Sequence, residues 1–284
     1  MIAHAENMMF GPYRMVRPLG GDEGQAERWL ALHERQSTSH VVYRFRELYD
    51  KMSRRRFLAW MERLSALRHP HLLPIEEYSF CPTGRACFVT PYTGNQDGLV
   101  TLDVLLAAKG GRLGVSETQR GIRQMLDAMR YIHSLGSAHG PIDPAGVQVD
   151  RSGRLVLELR GEWAVDHAKG SERDDIRAVV ALAFRLMTGV TPERAGRTLL
   201  ELAPGTGEGW TPAGGWETWF RDGLDPLGGF ASATEALATL PDREVRVTDP
   251  EAVIRSGTAQ AVMAEAKPAR SKGWISRLLA PLRA

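Results

Sequence analysis

The stretch that most limits what this chain can fold into runs from Tyr131 to Gly161, YIHSLGSAHGPIDPAGVQVDRSGRLVLELRG. It reads as the end of a helix, a tight irregular loop and a short hairpin. The helix has a capping-box start, Ser116 to Gln119. Its apolar residues Ile122, Met125, Leu126, Met129 and Ile132 recur at helical spacing. Further on, DDIRAVVALAFRLMTG is a nearly all-apolar helix that ends at Gly189. Such a helix belongs in the centre of a domain.

A chain of 284 residues can bury one large core or two modest ones. Its 43% hydrophobic and 25% charged residues are ordinary for a soluble globular protein. The net charge of +2 gives no sign of a nucleic-acid partner. The two cysteines, Cys81 and Cys87, flank a turn-like PTGRA and read as small buried hydrophobes in a reducing compartment. No run of about 18 apolar residues suggests a membrane-spanning helix, and MIAHAENMMF does not resemble a secretory signal. The expected location is the cytoplasm.

Strands dominate the first hundred residues. Tyr13 to Leu19 reads as a first strand, and LGGDEGQAERWLALH then brings Gly20, Gly21 and Gly24 into a turn. Backbone amides in such a turn can approach a phosphate, but Asp22 and Glu23 at its tip would repel one, which favours a structural turn. HVVYRFREL, residues 40–48, is an apolar strand with Arg44 as its inward-facing candidate. SRRRFLAWMERLSALRH has helical periodicity through Phe57, Met61 and Leu64, with Ser53 as its cap. Arg54, Arg55 and Arg56 fall in its first turn, the unfavourable end for the helix dipole, as a solvated face or a contact for an anionic partner. HPHLLPIEEYSF and RACFVTPYTG read as two further strands. Helices follow over LVTLDVLLAAKGG, WETWFRDGL and SATEALATL, giving a two-lobed α+β layout.

This order of elements resembles the protein kinase fold over about residues 13–240, and the resemblance rests on several local patterns. LSALRHPHLLPIEEY is similar to the segment after the kinase regulatory helix. FVTPYTG is similar to the hinge, with Thr90 as gatekeeper and Thr93 at its end. QMLDAMRYIHSLGSAHG is similar to the helix entering the catalytic loop, and DDIRAVVALAFRLMTGVTP to the buried helix that begins with an acid. The resemblance implies a small lobe over about residues 13–92, an antiparallel sheet plus one helix, and a helical lobe over about 93–240. Residues 1–12 form an extension before it.

The resemblance also implies which positions should carry phosphoryl transfer, and this sequence departs at each. Arg44 stands for the lysine that holds the ATP phosphates; its planar fork is no substitute for an ammonium. Trp60 stands for that lysine's glutamate partner, and Glu62, about 200° around the helix, lies on another face. In the loop His139–Gly146, Pro141 replaces the catalytic aspartate and Gly146 the metal-binding asparagine. Asp143 is the loop's one acid, better suited to a turn than to catalysis. Leu159 replaces the magnesium-binding aspartate. Glu158, one residue early, would point to the opposite face of a strand unless a bulge intervenes. Asp175 follows Gly161 by fourteen positions, too few for a full activation segment, and Gly229 replaces the arginine that pairs with that segment's glutamate.

The expected function is therefore a pseudokinase: a binding, scaffolding or regulatory module for a protein partner, with no metal site and no resident cofactor. Gly20, Gly24, Arg44, Thr90 and Thr93 are the residues that would meet ATP if any bound, weakly and without magnesium. The alternatives are an atypical phosphoryl transferase using Arg44, Asp143 and Glu158, or a nucleotide sensor without turnover. Beyond Pro241, residues 241–272 read as a flexible linker. In residues 273–284, Trp274, Ile275, Leu278, Leu279 and Leu282 recur at helical spacing, with Lys267, Arg270, Lys272, Arg277 and Arg283 around them. This basic amphipathic tail, residues 267–284, suits an anionic membrane surface, a partner groove or the domain's own surface.

Overall fold

The computed structural model describes residues 8–19, 26–96, 98–159, 171–192 and 215–241. The glycine turn with Gly20 and Gly24, the residues from Arg160 to Gly170, and the linker and tail lie outside them. Six antiparallel strands form the first lobe: β1 (Met9–Phe10), β2 (Tyr13–Leu19), β3 (Ala26–His33), β4 (Ser39–Glu47), β5 (Glu77–Phe80) and β6 (Arg85–Pro91). Their order across the sheet is β1-β2-β3-β4-β6-β5. Both faces are covered. Phe10, Tyr13, Met15, Ala31, Val42, Cys87 and Val89 form a small outer core. Val41, Tyr43, Phe45 and Phe88 face inward and join the main core.

Helix α1 (Lys51–Ser65) lies against the inner side through Phe57, Met61 and Leu64. Its cap is Asp50, whose carboxylate accepts from Ser53 N at 2.8 Å. The helix thus begins before Ser53, the cap expected from sequence. An acid three residues earlier both satisfies a first-turn amide and offsets Arg54–Arg56 at the dipole's positive end. The expected strand over HPHLLPIEEYSF shrinks to Glu77–Phe80.

The second lobe holds α2 (Leu102–Ala108), α3 (Val115–Ser134), the hairpin β7 (Val147–Val149) and β8 (Leu155–Leu157), α4 (Glu172–Thr188), α5 (Trp216–Leu224) and α6 (Ala233–Ala238). The stripe Ile122, Met125, Leu126, Met129 and Ile132 is buried as its spacing requires. Helix α3 starts earlier than Ser116, because Glu117 reaches back to accept from Gly114 N at 3.1 Å. Val179, Val180, Ala183 and Leu186 bury α4 in the lobe's centre. Its C-terminal Gly189 adopts φ +81°, the left-handed cap that a side chain would strain.

The lobes are fastened behind the hinge. Leu73 N donates to Leu157 O at 2.8 Å and Leu157 N to His71 O at 2.9 Å, so the segment after α1 runs beside β8. Alongside it, the His69 ring stacks on Tyr131 of α3 at 5.2 Å.

Candidate functional site

The cleft between sheet and helical lobe is occupied by the protein's own side chains. Antiparallel register sets Arg28 of β3 opposite Tyr43 of β4, so both project to the same face of the sheet, and both are buried. Across the cleft, Gln148 projects from β7 and Glu158 follows the last residue of β8. Arg28 Nη2 lies 3.0 Å from Glu158 Oε2, and each side chain is only 2% exposed. The other carboxylate oxygen accepts from the Tyr43 hydroxyl at 2.8 Å and from Gln148 Nε2 at 2.6 Å. Arg28 also donates to Ala145 O at 3.2 Å, and Gln148 Nε2 to the Tyr43 hydroxyl at 3.1 Å. On the hinge side, the Thr93 hydroxyl donates to Gln148 Oε1. Tyr43 is held flat against Phe88, ring to ring at 4.4 Å.

Burial pushes the Glu158 carboxyl above its ordinary range, opposed by the Arg28 charge and by the hydrogen bonds from Gln148 and Tyr43. Burial and the Glu158 charge push the Tyr43 hydroxyl well above its ordinary value. Tyr43 thus stays a neutral donor, and Arg28 stands beside the carboxylate it serves.

Arg44 is not in this cleft. Alternation along β4 turns it to the outer face, where Nε donates to Glu27 at 3.0 Å and the guanidinium lies over the Trp29 ring. Glu27 also takes Arg85, at 3.0 Å. The inward side chain at this level of the strand is Tyr43, so Arg44 does not face the site. Glu158 departs from expectation in the other direction. The β8 strand ends at Leu157, and past that point the two-residue alternation no longer dictates its side. Its N–H is held by Gly146 O at 2.9 Å and its carboxylate enters the cleft.

The loop residues take structural positions. Asp143 accepts from Ala145 N at 2.7 Å, capping the single 3-10 turn Pro144–Gly146. Pro141 is exposed and Gly146 is buried. Asp175, 1% exposed, accepts from His139 N at 2.7 Å, Gly140 N at 2.8 Å and His133 Nε2 at 2.9 Å, tying the loop to α4. Thr90 is buried at the end of β6. Trp60 is half-buried on α1, Glu62 is exposed, and Leu159 packs beneath that helix, away from the cleft. Among the described residues, no group of three or more His, Cys, Asp or Glu could hold a metal ion.

Sequence reasoning missed Arg28, Tyr43 and Gln148. The available signal was strand alternation: Val41, Tyr43 and Phe45 share a face, and so do Ala26 and Arg28. It was obscured because β4 is buried on both sides and both of its faces read as apolar.

No family model matches the chain. CBL-interacting protein kinase 17 of Oryza sativa subsp. japonica is 24% identical over 175 residues, 61% of this chain. The chain spans 37% of the length of that protein. Among solved structures, the Mycobacterium tuberculosis PknI kinase domain is similar at 20% identity with a TM-score of 0.63, covering 84% of this chain and 98% of that domain. A double mutant of the same domain gives 21% identity and a TM-score of 0.66. The six-stranded first lobe, the single helix against it and the helical second lobe behind a hinge are those of the two-lobed protein kinase-like fold, and this chain has that fold.

Proposed function

We propose that this domain is a catalytically inactive kinase-like module that acts by binding a protein partner, without resident nucleotide or metal. One observation carries the reading: Glu158, whose carboxylate enters the cleft, pairs with Arg28 and is hydrogen-bonded by Tyr43 and Gln148. Phosphoryl transfer depends on positioning and on metal and lysine charge. Here the carboxylate that would hold a metal already holds an arginine, the strand position facing it is a phenol, and the base position is Pro141. Entry of a nucleotide–metal complex would require breaking a buried ion pair, which costs several kcal/mol.

A thermal-shift titration with ATP, with and without Mg²⁺, tests this. Unchanged melting at millimolar ATP is expected; a clear metal-dependent rise overturns it. A second reading, an atypical ATP-dependent transferase, draws support from the position of Glu158 inside the cleft. On that reading Arg28→Met should create or strengthen Mg²⁺-dependent ATP binding by freeing the carboxylate. On ours it leaves ATP binding absent.

The cytoplasmic location and the membrane-facing tail belong to the same proposal. No described helix is long and apolar enough to cross a membrane. The basic residues from Lys267 onward suit the inner face of an anionic membrane, and residues 267–284 lie outside the described residues.

A further inference from the structure

The hairpin of β5 and β6 carries both cysteines of the chain, and they meet on one face of it. The register sets Ser79 opposite Cys87 and Phe80 opposite Ala86. Cys81 N donates to Arg85 O at 2.9 Å, so the pairing runs one residue further and Cys81 lies opposite Arg85. Alternation then places Cys81 and Cys87 on the same side as diagonal neighbours. Both join the small outer core with Met15, Val42 and Val89, and both are free thiols.

Their surroundings differ. Cys81 sits at the turn with 8% exposure, its Sγ 3.0 Å from the Thr83 hydroxyl. Cys87 is fully covered, and its thiol donates to Arg85 O at 3.7 Å. Burial disfavours the Cys81 thiolate. Hydrogen bonds from the Thr83 hydroxyl, from the backbone at Thr83 and Arg85 and from the Cys87 thiol outweigh it and hold Cys81 below the ordinary thiol range. Burial, then the charge and hydrogen bond of Cys81, push Cys87 up. The pair is thus a nucleophilic sulfur near the surface with a protonated thiol against it from beneath.

We propose that this pair is an oxidative modification site: a hydroperoxide oxidises Cys81, and Cys87 converts the product into a disulfide within the hairpin. In the first step the Cys81 thiolate attacks one peroxide oxygen. The S–O bond forms, the O–O bond breaks, and the departing oxygen takes a proton from solvent to leave as water or an alcohol. Cys81 becomes a sulfenic acid. Its charge is then gone, and with it the repulsion that helps to keep Cys87 protonated. In the second step the Cys87 sulfur attacks the Cys81 sulfur. The S–S bond forms, the S–O bond breaks, and the hydroxyl leaves as water with the Cys87 proton. Two thiols lose two electrons and the peroxide gains them. A small dithiol reverses the bond by exchange, which suits a compartment that keeps cysteines reduced. The site lies on the outer face of the sheet, so it stands apart from the reading of the cleft.

The test uses the full chain, reduced, freed of reductant and treated with hydrogen peroxide. The intact mass should fall by two hydrogens, and both thiols should escape maleimide labelling after unfolding. Digestion should yield peptides joined from Cys81 to Cys87, and the product should run as a monomer without reductant. Cys87→Ala should stop at the sulfenic acid, which dimedone captures on Cys81. In Cys81→Ala, Cys87 should react at least about tenfold more slowly than Cys81 does in Cys87→Ala, because its thiol is protonated and covered. The wild-type mass needs no variant, so a substitution that folds poorly leaves the test standing. Two free thiols after peroxide, disulfide-linked dimers in place of the internal bond, bond formation only in urea, or faster oxidation of Cys87 than of Cys81 would each overturn the assignment.

Discussion

The Arg28–Glu158 pair should respond very differently to losing one member than to losing both. In Glu158→Gln the new amide keeps the acceptor oxygen for Tyr43 and Gln148, so shape and most hydrogen bonds survive. The loss is electrostatic. Arg28, at 2% exposure, cannot shed its proton, and removing one charge of a buried pair costs about 3–5 kcal/mol. For a domain of this size that lowers the melting temperature by about 10 °C, and the loss persists across the pH range. Arg28→Met behaves otherwise, because the stranded carboxyl can take up a proton. Burial already raises Glu158, and removing the cation raises it further. The folded state then holds a proton over a window above the ordinary carboxylate value in which the unfolded state does not, so stability falls as pH rises through that window. This variant should be close to wild type near the ordinary carboxylate value and lose stability towards neutrality. The double variant Arg28→Met/Glu158→Gln should recover most of the loss, with a coupling of at least about 2 kcal/mol. Urea denaturation at several pH values measures all three. A Glu158→Gln protein within about 1 kcal/mol of wild type, or a double variant as unstable as that single, would refute the reasoning.

Two further outcomes follow from the helical lobe. Gly223→Ala places a methyl group 2.7 Å from Phe230 and 2.8 Å from Val180 of α4, so overpacking should cost about 1–3 kcal/mol in chemical denaturation. Asp143→Ala removes only the cap of the 3-10 turn and should lower stability by about 0.5–2 kcal/mol, with ATP-dependent phosphate transfer absent from both the variant and the wild type in a radiolabel assay.

How much of this could be read in advance depended on whether one face or two faces of an element are buried. Helix α3 has a single apolar stripe, and every residue of that stripe lies where its spacing put it. Strand β4 is buried on both faces, so the pattern that should choose between Tyr43 and Arg44 carries little contrast, and the charged residue drew the inward assignment. A cation was expected at the cleft, and one is there, but it comes from the neighbouring strand at Arg28. Glu158 was ambiguous for a different reason: strand alternation predicts direction only while the strand lasts, and β8 stops one residue earlier. The cap of α1 at Asp50 was legible in principle, since an acid there answers the three arginines that follow. Gly229 was read as a lost arginine; its φ of +72° is backbone that any side chain would strain, so the turn and the missing arginine are one feature.

The reach of Arg28 has a consequence for how the molecule comes apart. Its guanidinium joins residues 117 and 130 positions away along the chain, so these two partners are out of reach until the helical half has formed. A separately folded sheet would present this cation without the Glu158 carboxylate on the surface it most needs to keep dry. The two halves should accordingly gain and lose structure in one cooperative event, with this contact among the last made because the loop it closes is so long.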